Sequence, residues 1–322
     1  METLKIKFLD FWGGFNYTDN FITDILKKKY ILEFSDQPDY IFCSVFGREC
    51  LKYDAVRICF TGENVHTDFN IYDYGIGFDW FDVGDRYLRF PLYALYKDDF
   101  MKVATKYEKV DSDFFKLHNR FCNFVYSNAS NAMPQREELL NILNEYKTVD
   151  CGGRYRNNVG GPVADKMEFL SKYKFTIAVE NTSTPGYTTE KIIHALAAGT
   201  IPIYYGNPMI GKEFNTKAFI NCHDYQSFAD VLENVRYLDN NDEAYLEMMM
   251  TPVFSETTCG QDYMTDALLE SFLLQIVAAG RENAYRRDRY GWGKVYENHC
   301  RCEDRVSNSV YGKIYGKLFY KQ

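Results

Sequence analysis

The sequence predicts an α/β protein of two tandem lobes, each a parallel sheet covered by helices, with a helical segment at the C-terminal end. Three observations predict it. The chain has 322 residues, more than a single core usually fills. Short apolar runs closed by turn residues alternate with single amphipathic stretches, the pattern of βα units joined by right-handed crossovers. That alternation occurs twice, interrupted by the charged piece "KDDFMKVATKYEKVDSDFFKLHNR". The expected boundaries are therefore 1–117, 118–280 and a basic, aromatic tail, 281–322. Ligands of such sheets bind beyond the C-terminal strand ends, so the cleft between the lobes is the expected active site.

In the first lobe "LKIKFLDFW" is strand-like and "NFITDILKKKY" has helical periodicity. "YILEFS", "DYIFCSVFG", "AVRICFTG" and "DYGIGFD" are further short strands. "DRYLRFPLYALY" reads as an edge or connecting segment, because Pro91 has no N–H to give a central ladder. The second lobe opens with strand "FCNFVYSN", turns through "ASNAMP", and enters helix "QREELLNILNEY" with Pro134 suited to the first turn. Strand "TVDCGG", helix "DKMEFLSKY", strand "FTIAVEN", helix "EKIIHALAAG" stopped at Gly199, and strand "IPIYYG" follow in alternation, then "AFINCHDY" and helix "SFADVLENVRYL".

The formal charge of −8 argues against a dedicated nucleic-acid binder. No apolar run reaches the length of a membrane span, and "METLKIKFLDFWGG" lacks the charged-then-apolar architecture of a signal peptide. A cytoplasmic location is expected, at most peripheral at the inner membrane. Nine cysteines, several within strand-like segments, read as reduced and buried; the Cys300/Cys302 pair has no second pair to complete a zinc pattern. The ending "VYGKIYGKLFYKQ" reads either as a tail packed on the body or as a weak membrane-surface contact, and its glycines favour the first.

The densest chemistry lies in "VENTSTPGYTTEKIIHALAAGTIPIYYGNP", Val179 to Pro208. Glu180 and Asn181 emerge where strand "FTIAV" ends, and a polar loop leads to a helix beginning Glu190, Lys191. A helix N-terminus attracts phosphate, whereas a lysine in the first turn opposes the dipole and costs stability unless an anion sits there. Glu190 is a natural acceptor for ribose hydroxyls, so the stretch reads as a nucleoside-diphosphate site. Neither G-x-G-x-x-G after a strand nor a P-loop is present.

Arg136 holds the equivalent place in the first unit of the same lobe, so two helix starts could grip a diphosphate and stabilise it as a leaving group. In the first lobe "FTGEN" puts Glu63 at a strand end, where a carboxylate can deprotonate an acceptor hydroxyl; one base suffices for an inverting displacement. "DSD" at Asp111–Asp113 has the form of a metal-diphosphate motif but sits in a charged helical stretch, and reads as a solvated turn or a helix start. The five histidines show no metal spacing; His194 reads as a core or supporting residue.

At these residues the chain resembles the inverting, GDP-fucose-dependent α-1,3-fucosyltransferases, whose donor motif runs roughly F-E-N-[ST], a loop with a Tyr, then T-E-K. The likeness covers about residues 1–250, with Val179 in place of the usual aromatic and Thr188 in place of Val or Ile. The resemblance implies a GT-B fold of two Rossmann-like lobes. It implies Glu63 as general base, Arg136 and Lys191 on the diphosphate, Glu190 on ribose or fucose hydroxyls, and Asn181 and Tyr187 on donor phosphates or sugar. No tightly held metal is implied, with manganese at most a stimulant. The implied acceptor is an oligosaccharide with GlcNAc or Glc of lactosamine or lactose type, in cell-surface glycans such as lipopolysaccharide. The alternatives are α-1,4 or dual linkage, a GT-B transferase using another sugar nucleotide, and a non-catalytic glycan-binding protein on the same scaffold.

Overall fold

The computed structural model describes residues 1–105, 114–127 and 132–319. They form two compact units, Met1–Phe90 with Asp266–Gln322, and Pro91–Thr265. In chain order the strands are β1 (Glu2–Leu9), β2 (Tyr30–Phe34), β3 (Tyr40–Cys43), β4 (Val56–Phe60), β5 (Tyr74–Gly77), β6 (Tyr87–Arg89), β7 (Arg120–Phe124), β8 (Val149–Cys151), β9 (Tyr173–Val179), β10 (Ile201–Tyr205) and β11 (Ile220–Asn221). The helices are α1 (Phe21–Leu26), α2 (Lys97–Thr105), α3 (Phe114–Leu117), α4 (Gln135–Asn144), α5 (Lys166–Leu170), α6 (Glu190–Ala197), α7 (Phe228–Asp239), α8 (Asp242–Met250), α9 (Ala267–Ala278), α10 (Arg281–Ala284), α11 (Gly291–Asn308) and α12 (Val310–Phe319).

The first unit is a six-stranded sheet in the order β2-β1-β3-β4-β5-β6, parallel throughout. Strands β3, β4 and β5 are buried at every residue, as strands covered on both faces must be, while β2 and β6 at the edges are only partly covered. Pro91 follows β6 at that edge, where its missing N–H breaks no central ladder. The segment expected as a separate tail belongs to this unit. Arg287 pairs with Asp73, and the Arg57 guanidinium lies 3.0 Å from the Glu297 carboxylate on α11. The unit boundaries fall at Pro91 and Asp266, not at 117 and 280, because ion pairs spanning more than 200 residues leave no trace in local composition.

The second unit is a five-stranded parallel sheet in the order β11-β10-β9-β7-β8. Its core sets Phe124, Phe175, Ile177 and Ile203 against Leu139 and Leu143 of α4 and Val231 and Val235 of α7. Helix α6 ends at Gly199, whose φ of +84° suits glycine; a Cβ there would also meet the His118 ring at 2.7 Å. From β7 the chain steps outward to β8 and then returns to lay β9 on the other side of β7. Such a reversal opens a crevice at the carboxyl ends of the two flanking strands.

Among the described residues no helix is long and apolar enough to cross a membrane. Seven of the nine cysteines are buried. Asp111–Asp113 lie outside the described residues.

Candidate functional site

At the β7/β9 reversal the second unit holds a cavity of about 740 Å³. Arg136, Asn181, Glu190 and Lys191, expected from sequence, all line it. So do Arg154 and Lys166, which sequence reasoning missed. The missed signal was a regularity: Arg136, Lys166 and Lys191 each stand at the first or second residue of the helix following β7, β8 and β9. In a parallel sheet those three positions lie at one end. Arg154 follows the glycine pair after β8, and Gly153 admits no side chain, since a Cβ would lie 1.9 Å from the Tyr126 carbonyl oxygen.

Arg136 is 3% exposed and held on three sides. Its Nη2 donates to the Val179 carbonyl at 3.2 Å and to Asn181 Oδ1 at 2.7 Å, and its guanidinium stacks 4.2 Å from the Tyr126 ring centroid. The Tyr126 hydroxyl accepts from the Val179 N–H at 2.7 Å, so ring and guanidinium are both fixed to the end of β9. A guanidinium only donates, so Asn181 turns its oxygen to Arg136 and keeps its NH₂ as a donor. Among the described residues the buried Arg136 Nε has no hydrogen-bond partner.

Lys191 has a partner that the sequence did not reveal. Glu180, fully buried, accepts from the Thr189 N–H and hydroxyl at 2.7 Å each and from Lys191 Nζ at 2.9 Å. The anion that offsets the lysine's place in the first turn of α6 is thus a protein carboxylate. Burial alone would lower the Lys191 pKa, but the charges of Glu180 and Glu190 outweigh it and hold the ammonium protonated. Glu190 is likewise penalised by burial yet pulled below its ordinary pKa by Lys191, Lys166 and His194.

Lys166 Nζ lies 2.9 Å from His194 Nδ1, and His194 Nε2 lies 3.4 Å from Asp99 on α2. Burial, reinforced by the Lys166 charge, pushes the His194 pKa down to about 4. The ring is therefore neutral near pH 7, accepting from Lys166 at Nδ1 and carrying its proton on Nε2 toward Asp99. The supporting role expected for His194 has this geometric form.

Tyr187 does not line the cavity. It is 2% exposed, at the end of a turn in which its N–H donates to the Thr184 carbonyl at 3.1 Å. That loop is pinned from below: Asn207 Oδ1 accepts from the Gly186 N–H at 2.7 Å, and buried Glu213 accepts from Thr188 at 2.8 Å and from Asn207 at 2.7 Å. Glu63 lies in the first unit, three residues beyond the end of β4, its N–H donating to Thr61 Oγ1 at 3.2 Å while that hydroxyl donates to the Glu63 carbonyl at 2.9 Å.

Four cationic side chains and one carboxylate on a single cavity wall make an anion site with a place for hydroxyl recognition.

Comparison with known proteins finds relatives for both halves of the chain. Residues 6–96 match the family model for the Alpha-(1,3)-fucosyltransferase FucT N-terminal domain, and residues 116–250 match that for Glycosyltransferase family 10 (fucosyltransferase) C-term. The chain is 36% identical over 285 residues to Alpha-(1,3)-fucosyltransferase FucT of Helicobacter pylori, covering 76% of this chain and 59% of that relative's length. A crystal structure of an α1,3-fucosyltransferase superposes with a TM-score of 0.69 at 31% identity, covering 85% of this chain and 90% of the other. A further crystal structure, of an α1,3-fucosyltransferase with GDP-fucose, superposes with a TM-score of 0.66 at 31% identity, covering 85% and 91%. The two parallel sheets are of the GT-B type. With both halves matched and a solved relative covered nearly end to end, the chain belongs to glycosyltransferase family 10, the fucosyltransferases.

Proposed function

We propose that this chain transfers L-fucose from GDP-β-L-fucose, with inversion, to the 3-hydroxyl of GlcNAc or Glc in lactosamine- or lactose-type acceptors. The observation that carries the reading is the cavity at the β7/β9 reversal, with four cations and Glu190, in a chain whose solved relative was crystallised with GDP-fucose. In the proposed step the acceptor oxygen attacks C1 of fucose, and Glu63 takes the hydroxyl proton. The bond from C1 to the phosphate oxygen breaks, and GDP leaves with the electron pair. Negative charge grows on the diphosphate as it departs, which preorganised cations stabilise at no cost in reorganisation.

Arg136 and Lys191 take the diphosphate in this reading, joined by Arg154 and Lys166, and Glu190 takes the hydroxyls of ribose or fucose. Asn181 offers its NH₂ to a donor phosphate or the sugar, while Tyr187 serves by holding the loop rather than by contact. Cations in this number meet the leaving group's charge without a tightly held metal ion.

Glu63→Gln is the direct test of the base. Transfer should fall by at least about a thousandfold, within the range of general-base catalysis and its geometry, while calorimetry shows GDP binding within about twofold of the parent. Retained transfer would remove Glu63 from this role, and preference for UDP or ADP over GDP would remove the fucose donor.

A further inference from the structure

The first unit carries a second basic hollow that fucosyl transfer leaves unused. It measures about 320 Å³, and five cations line it: Arg57, Arg287, Arg289, Lys294 and Arg301. They come from the start of β4, the segment before α11, and α11 itself. Two of them are interior. Arg57 and Arg287 are 1% and 6% exposed. Arg57 donates to the carbonyls of Ile71 and Tyr53 at 3.1 and 3.0 Å and to Glu297 at 3.0 Å; Arg287 pairs with Asp73 and donates to the Ala55 carbonyl at 3.1 Å. Among the described residues the buried Nε of each makes no hydrogen bond, that of Arg287 lying 3.7 Å from Glu297 Oε2. Burial and the neighbouring Arg57 charge push the Arg287 pKa down despite Asp73, as expected where like charges are crowded.

The other three cations stand at the rim. The Arg289 guanidinium stacks 3.7 Å from the Tyr285 ring centroid and reaches Asp54 only at 4.0 Å. Arg301 shares Glu297 with Arg57. Lys294 makes no ion pair among the described residues, and the first turn of α11 that holds it has no acidic residue. Three carboxylates, Asp54, Asp73 and Glu297, thus face five cations, and Asp54 is shared in turn with Arg281. The five lining cations outnumber the carboxylates that pair with them by two, the Asp288 carboxylate being taken up by the Tyr290 and Gly293 N–H groups at the start of α11.

We propose that this hollow is a binding site for a phosphoryl dianion. Such a ligand carries the two charges that are missing, and its tetrahedral oxygens suit guanidinium forks better than a carboxylate does. The chemistry is shared by soluble phosphomonoesters and by the phosphomonoester headgroup of a lipid, and the same variants report on both. The site is independent of the fucosyl-transfer reading.

Inorganic phosphate is titrated calorimetrically into the full chain carrying Arg154→Gln and Lys166→Gln, which weakens the competing cavity of the second unit. Phosphate should bind, and adding Arg289→Gln and Lys294→Gln should weaken binding at least tenfold while circular dichroism stays unchanged. In parallel, flotation with phosphatidic acid vesicles is compared with phosphatidylcholine. Selective flotation that phosphate competes away and that Arg289→Gln/Lys294→Gln abolishes assigns the lipid source; phosphate binding without flotation assigns a soluble one. Absence of both, or binding indifferent to Arg289→Gln/Lys294→Gln, overturns the proposal.

Discussion

Replacing Glu180 by Gln should destabilise the second unit strongly, and GDP should recover part of the loss. The substitution keeps the volume and one acceptor for Thr189 but strips the charge that faces Lys191 at 2.9 Å. At that distance, with an effective dielectric of about 20, the gross attraction is about 6 kcal/mol. Part of it offsets the burial of the two ions, so the measured quantity is the cost of leaving Lys191, with only 15% of its side chain exposed, without its counter-ion. Broken buried pairs cost about 3–5 kcal/mol, a large share of the stability of any domain. Urea unfolding of parent and variant, with and without saturating GDP, reads the difference. Because a bound diphosphate would face the same ammonium, GDP should stabilise the variant more than the parent.

The pH dependence carries a sign. In the parent the folded pKa of Lys191 lies above the unfolded value, so its contribution is intact below about pH 10.4 and lost only above. In the variant burial acts unopposed by Glu180 and the folded pKa falls. Stability should then rise with pH between that lowered value and about 10.4. A variant within 1 kcal/mol of the parent, with an equal gain from GDP, would refute the view that this pair governs the site.

Arg136→Lys keeps the charge but loses both the planar Nη2 that bridges Val179 and Asn181 and the stacking on Tyr126, so calorimetry should show GDP affinity at least about tenfold weaker. His194, held neutral by burial and Lys166, should show no imidazole titration between pH 5 and 8 by NMR. Its folded pKa of about 4 lies below the unfolded value of about 6.5, so stability should fall as pH drops through that window, and His194→Gln should flatten the fall.

Much of the fold is legible in the sequence because βα units are local. The run "FTIAV" has no alternative to a buried strand, and Pro134 and Gly199 punctuate their helices where a missing N–H and a positive φ are needed. The partners of the charges are not local. Glu180 was visible as the residue after a strand, yet nothing in the chain indicates that its carboxylate turns back under Thr189 and Lys191 rather than toward a ligand. Lys166 escaped because "DKMEFLSKY" looks like any surface helix until β8 and β9 place its first residue beside those of α4 and α6. The C-terminal segment was misassigned for the same reason: Arg287 and Glu297 find Asp73 and Arg57 only through tertiary folding.

The central claim is tested most directly by incubating the chain with GDP-β-L-fucose and N-acetyllactosamine and reading the product by NMR. The account predicts α-L-fucose on the 3-hydroxyl of GlcNAc with stoichiometric release of GDP, and loss of that product with Glu63→Gln. A β-linked product, or an acceptor left unmodified while another sugar nucleotide is consumed, would contradict it.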